Sequence, residues 1–410
     1  LTQKHTMPKE EARSRSGRSP QRRRTSIRTL DDSSSSRTAT QDNRTATPRR
    51  TTSQRRTAAG GRARRTNNAQ RNKTSGQRAH TQRRTNVPAR TRSRLPARRN
   101  RDARLPAKQE DPIVPAIPEN AVRIIPLGGV EEVGKNMIAI ETSDDIVVSD
   151  VGFQFISDEE QPGVDYILPN TKYLEDRKDK IRGCIITHGH LDHIGGIPFI
   201  MDRIGNPPVY CTEVTALLVK KRQEEYPHKP KLDVHVVERD DKVIMGSTPV
   251  TFFPVTHSIS DSCGVSIATK WGNIVISGDL KLEHDDGVPT KREEKTWTKV
   301  GKGENILLFA DSTNAEKGGF SIPETVVHRT LEEIITDVQG RLIIGTFASQ
   351  FERLIHIIGV CERLNKKIVT EGRSIKNNLE IARLAGRLKI RKDTIIPADE
   401  VGKYPAERVV

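Results

Sequence analysis

Residues 184–199 read CIITHGHLDHIGGIPF, with three of the chain's eleven histidines and one aspartate inside six positions: His188, His190, Asp192 and His193. An apolar run precedes them and a Gly-Gly step follows. That order predicts a buried strand, then a loop carrying all four polar residues, then a helix beginning at HIGGIPFIM. A His-x-His step on extended backbone points both imidazoles the same way. Asp192-His193 then turns the chain, so this pair is expected to face a second site beside the first. Neutral imidazole nitrogen and carboxylate oxygen are metal ligands suited to zinc at about 2.0–2.2 Å. One loop is therefore predicted to supply part of the shell of two ions.

Two later strand ends complete the pattern. TFFPVTHSISDS delivers His257 to a polar loop, and NIVISGDLKLE delivers Asp279 after a glycine suited to a tight turn. Alone, each reads as an ordinary turn cap. Together with the first loop they supply a third imidazole to one ion and a carboxylate that bridges both. His284, just beyond, reads as a surface residue. Two ions roughly 3.5–4 Å apart bring the pKa of a shared water toward neutrality and clamp the oxygens of an in-line displacement at phosphorus. Asp192 is expected both to hold metal and to accept a hydrogen bond from that water. The predicted reaction class is hydrolysis.

Composition divides the chain. Residues 1–110 carry 31 Lys and Arg against 7 Asp and Glu, a net +24, so with +16 overall the remaining 300 residues carry −8. All 16 aromatic residues lie at Phe153 or later. A segment so basic and so poor in large apolar groups cannot offset the entropy of ordering, which predicts a disordered tail. Its cations bind any polyanion in a salt-dependent way, and it lacks aromatic platforms for bases. It is a candidate tether to RNA or ribosomes, with a plain solubilising tail as the alternative. The four cysteines, Cys184, Cys211, Cys263 and Cys361, have no paired spacing. That argues against a disulfide framework and a Cys-based zinc site, and fits a reducing cytoplasm. No apolar stretch approaches the ~20 residues of a membrane span.

After the Pro-spaced linker PIVPAIPEN come short β-branched runs: AVRIIPLGG, NMIAIETSDDIVVSDVG, IRGCIITH, PVYCT, VTFFPVTHS and NILLFADST. VSIATKWGNIVIS reads as a hairpin turning at Gly272-Asn273. EVTALLVKKRQEE is an early helix. Beyond Ser312, helical spacing in IPETVVHRTLEEIITDV, SQFERLIHIIGVCERLN and SIKNNLEIARLAGRL alternates with GRLIIGTFA and KKIVTEG, a parallel α/β pattern. The chain begins at Leu1 rather than Met and stops at PAERVV, which reads as a strand just starting. It is expected to continue past Val410.

HGHLDH, His257 and Asp279, with Asp150 closing the strand of DIVVSDVGF, resemble the metallo-β-lactamase superfamily. VRIIPLGGVEEVGKNM, GVDYILPNTKYL, THGHLDHIGGIPF, FPVTHSISDSCG, SGDLKLE, DSTNAEKGGFS and EGRSI together resemble the ribonuclease J family, in order over about residues 121–410. The resemblance implies an α/β fold, a metallo-β-lactamase αββα sandwich with a β-CASP insert. The expected divisions are a tail and linker over 1–118, the metallo-β-lactamase domain over 119–314, and an incomplete β-CASP domain over 315–410. It implies metal ligands His188, His190, Asp192, His193, His257 and Asp279, with Asp192 and Asp279 catalytic and Asp150 supporting the metal loop. It also implies two Zn2+, with Mn2+ the alternative because His and Asp ligands admit both. The implied substrate is single-stranded RNA, preferably 5′-monophosphorylated, cut by 5′-to-3′ exonuclease and endonuclease action, and the implied assembly a homo-oligomer. Arg373 and Ser374 of EGRSI are candidate phosphate contacts, with closure of a turn the equal alternative. The family's last zinc-ligand histidine and its phosphate-gripping loop lie beyond the stretch present, so the chain as it stands is expected to be inactive. The rival readings are another hydrolase on this fold and an RNA-binding scaffold with a decayed centre.

Overall fold

The computed structural model describes residues 114–157 and 159–410 together with the backbone of residues 28–29. The predicted tail and linker, residues 1–118, lies outside the described residues apart from 28–29 and 114–118.

The strands are β1 (Arg28–Thr29), β2 (Arg123–Gly128), β3 (Met137–Glu141), β4 (Ile146–Ser149), β5 (Gln154–Phe155), β6 (Tyr166–Ile167), β7 (Ile181–Ile185) and β8 (Val209–Cys211). They continue as β9 (Val234–Val236), β10 (Lys242–Met245), β11 (Thr248–Pro254), β12 (Cys263–Thr269), β13 (Gly272–Ile276), β14 (His284–Asp285), β15 (Val288–Pro289) and β16 (Asn305–Phe309). The helices are α1 (Lys172–Glu175), α2 (Leu191–Ile194), α3 (Ile197–Ile200), α4 (Glu213–Glu224), α5 (Lys291–Gly301), α6 (Glu324–Asp337), α7 (Phe351–Arg363) and α8 (Arg373–Leu384).

Two sheets face each other. One runs β1-β9-β8-β7-β4-β3-β2 and the other β10-β11-β12-β13-β16. The period of two along each strand decides what fills which layer. Ile140, Val147 and Ile185 point inward to meet Phe252, Val265, Ile267, Ile274 and Ile276 between the sheets. Their neighbours Ala139, Ile146, Val148 and Cys184 point outward, against Ile194, Ile197, Ile200, Ala216 and Val219 of α2, α3 and α4. On the far side, Phe253 and Val275 pack against Trp297 and Val300 of α5. Helices therefore cover both outer faces, an αββα sandwich. The apolar stripes of α6, α7 and α8 gather into a separate core with Val214 and Ile259.

Several local readings change. The hairpin between β12 and β13 turns at Lys270-Trp271, because Thr269 pairs with Gly272 across it. Thr269 Oγ1 donates to Gly272 O at 2.6 Å and accepts from Trp271 N at 3.2 Å, which fixes the turn two residues earlier than Gly-Asn chemistry suggests. The expected single helix after the histidine loop is split into α2 and α3 at Gly195-Gly196. A Cβ at Gly195 would stand 2.2 Å from Phe153 Cδ1, and one at Gly196 would stand 2.6 Å from Gly152 O. Asp192 and His193 consequently lie on the first turn of α2 rather than on the loop. GRLIIGTFA forms no strand: Ile343 and Phe347 are exposed there, and a parallel strand needs both faces covered. KKIVTEG forms no full strand and is held by two isolated parallel bridges, Lys367↔Val409 to the final residues and Ile368↔Ile395. Arg28–Thr29, in the segment expected to be without structure, pairs antiparallel with β9. An open sheet edge offers unpaired backbone groups to any extended segment, whatever its composition.

Phe252 is fully buried in the layer between the sheets. Phe252→Ala is expected to lower the unfolding free energy by about 3–5 kcal/mol, measured by urea titration with tryptophan fluorescence. A loss below about 1 kcal/mol would mean that the inter-sheet layer is not closed as described.

Candidate metal centre

The parallel strands β4 and β7 end side by side, with Ser149 opposite Ile185. Asp150 follows β4 in a left-handed conformation, φ 61°, uncommon for a residue with a side chain. This turns its carboxylate across to the neighbouring strand end, where it is almost fully buried. Asp150 Oδ1 accepts the backbone N–H of Thr187 at 2.8 Å, and the Thr187 hydroxyl donates to the same carboxylate at 3.0–3.1 Å. His193 Nδ1 lies 2.9 Å from Asp150 Oδ2. Because the Thr187 proton is committed to Asp150, its oxygen accepts from His188 Nδ1 at 3.0 Å. One carboxylate thereby sets the tautomers of two imidazoles, leaving Nε2 of each turned to the surface of the site.

Around those atoms the ring nitrogens converge. His190 Nδ1 is 3.1 Å from His188 Nε2 and 3.2 Å from His257 Nε2. Asp279 Oδ2 is 3.7 Å from both His188 Nε2 and His257 Nε2. Its other oxygen, Oδ1, is 3.2 Å from His193 Nε2, which is itself 3.5 Å from Asp192 Oδ2. Two ligand-type sets result: His188, His190, His257 and Asp279, and Asp192, His193 and Asp279. The six sequence-predicted ligands are thus brought together.

The donor set fits a cation. Ligand atoms about 2.0–2.1 Å from a tetrahedral zinc stand roughly 3.3–3.4 Å apart, close to the separations here. Burial lowers His188 well below its ordinary value, helped by the neighbouring imidazoles. Burial likewise lowers His257, and brings His190 to about 4 with repulsion from His257 adding to it. Neutral rings aiming nitrogens at one another leave lone pairs facing across a short gap, an arrangement that a cation stabilises. The second set shows the same demand. Burial opposes charge on His193, yet Asp150, Asp192 and Asp279 raise it well above its ordinary value. Asp192 and Asp279 are lowered despite burial, chiefly by hydrogen bonding to His193. With no ion, the imidazolium carries the positive charge that these carboxylates call for.

Three contributors have no predicted role. Thr187 is a fully buried hydroxyl closing an apolar run, and that polar break was its only signal. Asn136 Nδ2 is 3.0 Å from His193 Nε2 and 3.3 Å from Asp192 Oδ2, while the Asn136 backbone N–H donates to Asp192 O at 3.0 Å. Asp311, inside the DSTN stretch, accepts Leu280 N–H at 3.1 Å and fixes the turn after Asp279. Gly278 supplies that turn's positive φ of 60°, as its sequence position predicts. Arg373 and Ser374 lie exposed at the start of α8 and are not among the side chains meeting the cluster. His284 is half-buried, its ring 2.8 Å from Ser321 O.

Comparison with known proteins accords with this geometry. The metallo-beta-lactamase superfamily model matches residues 130–325, and the ribonuclease J beta-CASP domain model matches residues 339–410. Ribonuclease J 2 of Staphylococcus saprophyticus is 36% identical over 289 residues, covering 70% of this chain and 52% of that protein. The chain belongs to the ribonuclease J family. Ribonuclease J 2 of Staphylococcus aureus strain NCTC 8325 is 35% identical over the same length and shares. The chain therefore spans about half the length of the curated relatives it matches. A crystal structure of a protein of unknown function from Enterococcus faecalis V583 matches in fold, with TM-score 0.51 at 16% identity over 70% of this chain and 76% of that one. The superfamily implies a divalent metal in the His/Asp cluster. Among the described residues, no helix is long and apolar enough to cross a membrane.

Asp150→Asn keeps the size of the side chain and removes the charge that orients His193 and Thr187. Metal affinity is expected to fall about 10–100-fold, measured by Co2+ titration with circular dichroism as a check on folding. Unchanged affinity would show that Asp150 does not orient these ligands.

Proposed function

We propose that the chain is the metal-binding portion of a metal-dependent ribonuclease that hydrolyses phosphodiester bonds of single-stranded RNA, acting from 5′ to 3′ with endonuclease activity in addition. The observation that carries the reading is Asp279, whose two oxygens face separate ligand sets. A carboxylate so shared suits a centre of two divalent ions, Zn2+ in the first instance and Mn2+ as the alternative. His188, His190, His257 and Asp279 would hold one, and Asp192, His193 and Asp279 the other. Ions bound there supply Lewis-acid activation of water and neutralisation of charge at the phosphate. The chain's own residues would hold the ions and orient the water. Asp192 and Asp279 stay ionised at neutral pH, and Asp192 accepts a hydrogen bond from the attacking water.

A preference for a 5′-monophosphate, contacts of Arg373 and Ser374 with phosphate, and assembly as a homo-oligomer belong to the same reading. So does a domain boundary near residue 315, between the sandwich and the α6–α8 unit. Four buried cysteines without disulfides support a reducing, cytoplasmic setting.

The deciding assay gives the full-length gene product one labelled single-stranded RNA with either a 5′-monophosphate or a 5′-triphosphate, with and without chelator. Chelator-sensitive release of mononucleotides, faster from the monophosphate, is the expected result, and Asp192→Ala is expected to abolish it with the fold intact. Wild-type turnover by that variant would overturn the mechanism. Removing residues 1–110 is expected to weaken RNA affinity most at low salt and leave the single-turnover rate at saturating RNA nearly unchanged. A large fall in that rate would contradict a tethering role for the tail.

A further inference from the structure

The loops that carry His257 and Asp279 are both gripped from outside the sandwich, by residues that arrive much later in the chain. After β11 the chain runs through His257 to Ser262 before entering β12, and the loop is closed on itself by Val255 N–H donating to Ser262 O at 3.1 Å. Its apex is buried in the core of α6–α8 through Ile259. Two polar contacts flank that anchor. Ser260 Oγ donates to Glu352 Oε1 of α7 at 2.5 Å. Asp261, almost fully buried and left-handed at φ 63°, accepts from one Arg387 nitrogen, 2.7 Å from Oδ1 and 2.9 Å from Oδ2. Arg239 reaches the same carboxylate at 3.2 Å, and Thr212 Oγ1 donates to the Asp261 carbonyl at 2.8 Å.

The Asp279 loop repeats the theme. Lys281 N–H donates to Thr256 O at 2.7 Å, tying this loop to the one that bears His257. Lys281 Nζ is 3.3 Å from Glu324 Oε2, at the start of α6. Arg353 of α7 then holds Glu324 through Nε at 2.9 Å and a terminal nitrogen at 3.0 Å. By contrast, Asp150 and Thr187, which orient His188 and His193, belong wholly to the sandwich. The ligands thus fall into two classes: those set by the sandwich's own strand ends, and His257 with Asp279, set in part by the helical unit.

We propose that Asp261, held by Arg387, is a positioning residue for His257, so that the α6–α8 unit fixes the coordination geometry of the three-histidine set; this rests on the metal-centre reading above. A buried carboxylate in a strained backbone conformation persists only where its surroundings hold it there. Arg387 is the partner that makes the shortest contact to it. Loss of that guanidinium frees the loop apex, and the His257 ring four residues earlier is the ligand that moves. His188, behind Thr187 and Asp150, stays where it is.

The test is Co2+ titration of the full chain, read by visible absorption and by metal stoichiometry, with circular dichroism and thermal melting alongside. Wild type is expected to take up two ions. Arg387→Ala is expected to weaken one of them about tenfold and to shift its absorption bands, with a smaller effect on the other ion and only a slight lowering of the melt. Arg387→Lys is expected to recover part of the affinity. If Arg387→Ala does not fold, Glu352→Gln, which weakens the acceptor of Ser260, is read in the same way. Two ions bound with wild-type affinity and spectrum in the variant would overturn the proposal alone. Equal weakening of both ions together with a lowered melt would overturn it in favour of a merely structural role. Failure of the wild type to bind any metal would overturn the metal-centre reading, and this proposal with it.

Discussion

The carboxylate of Asp150 is the point on which the site turns. It lies where two parallel strands end together, and it accepts a backbone N–H, a hydroxyl and an imidazole within a region closed to water. A buried charge with fewer partners would be costly, so the group and its partners stand or fall together. Its left-handed backbone is a strain that the surrounding hydrogen bonds outweigh. From this carboxylate follow the tautomers of His188 and His193, and from those the direction in which the outer ring nitrogens face.

Close backbone approach does for the loop what Asp150 does for the rings. Asn136 N–H donates to Asp192 O, Gly152 N–H to Asn136 O, and Val151 N–H to His193 O, which laces three separate segments into one floor. Gly152 has no room for a side chain, since a Cβ would fall 1.6 Å from Asp192 O. Such a floor is rigid by construction. It lets four-residue α2, far too short to be stable alone, hold Asp192 and His193 in fixed positions.

Much of this was legible in the sequence because the signals were local. Alternation along NMIAIETSDDIVVS marks two strands whose faces divide between two cores, and the histidine spacing marks the ligands directly. Asp150 was visible only through its resemblance to a family pattern, since a single Asp at a strand end has no periodicity to betray it. Thr187 and Asn136 were missed for the same reason: their roles depend on which segments meet, and that is decided by sheet order rather than by neighbours in the chain. The strand read into GRLIIGTFA illustrates the opposite failure. β-branched residues announce a strand, but a strand also needs a partner along its edge and cover on both faces.

Asp279 has a thermodynamic consequence of its own. Because one oxygen faces the three-histidine set and the other faces His193, an ion bound at either set fixes the orientation of a group that the other must use. In a centre of two ions the occupancies would be linked, and reciprocally: whatever factor the first ion contributed to the affinity of the second, the second would return to the first. Filling both sets would pass through a half-filled state that depends on how freely one carboxylate can turn.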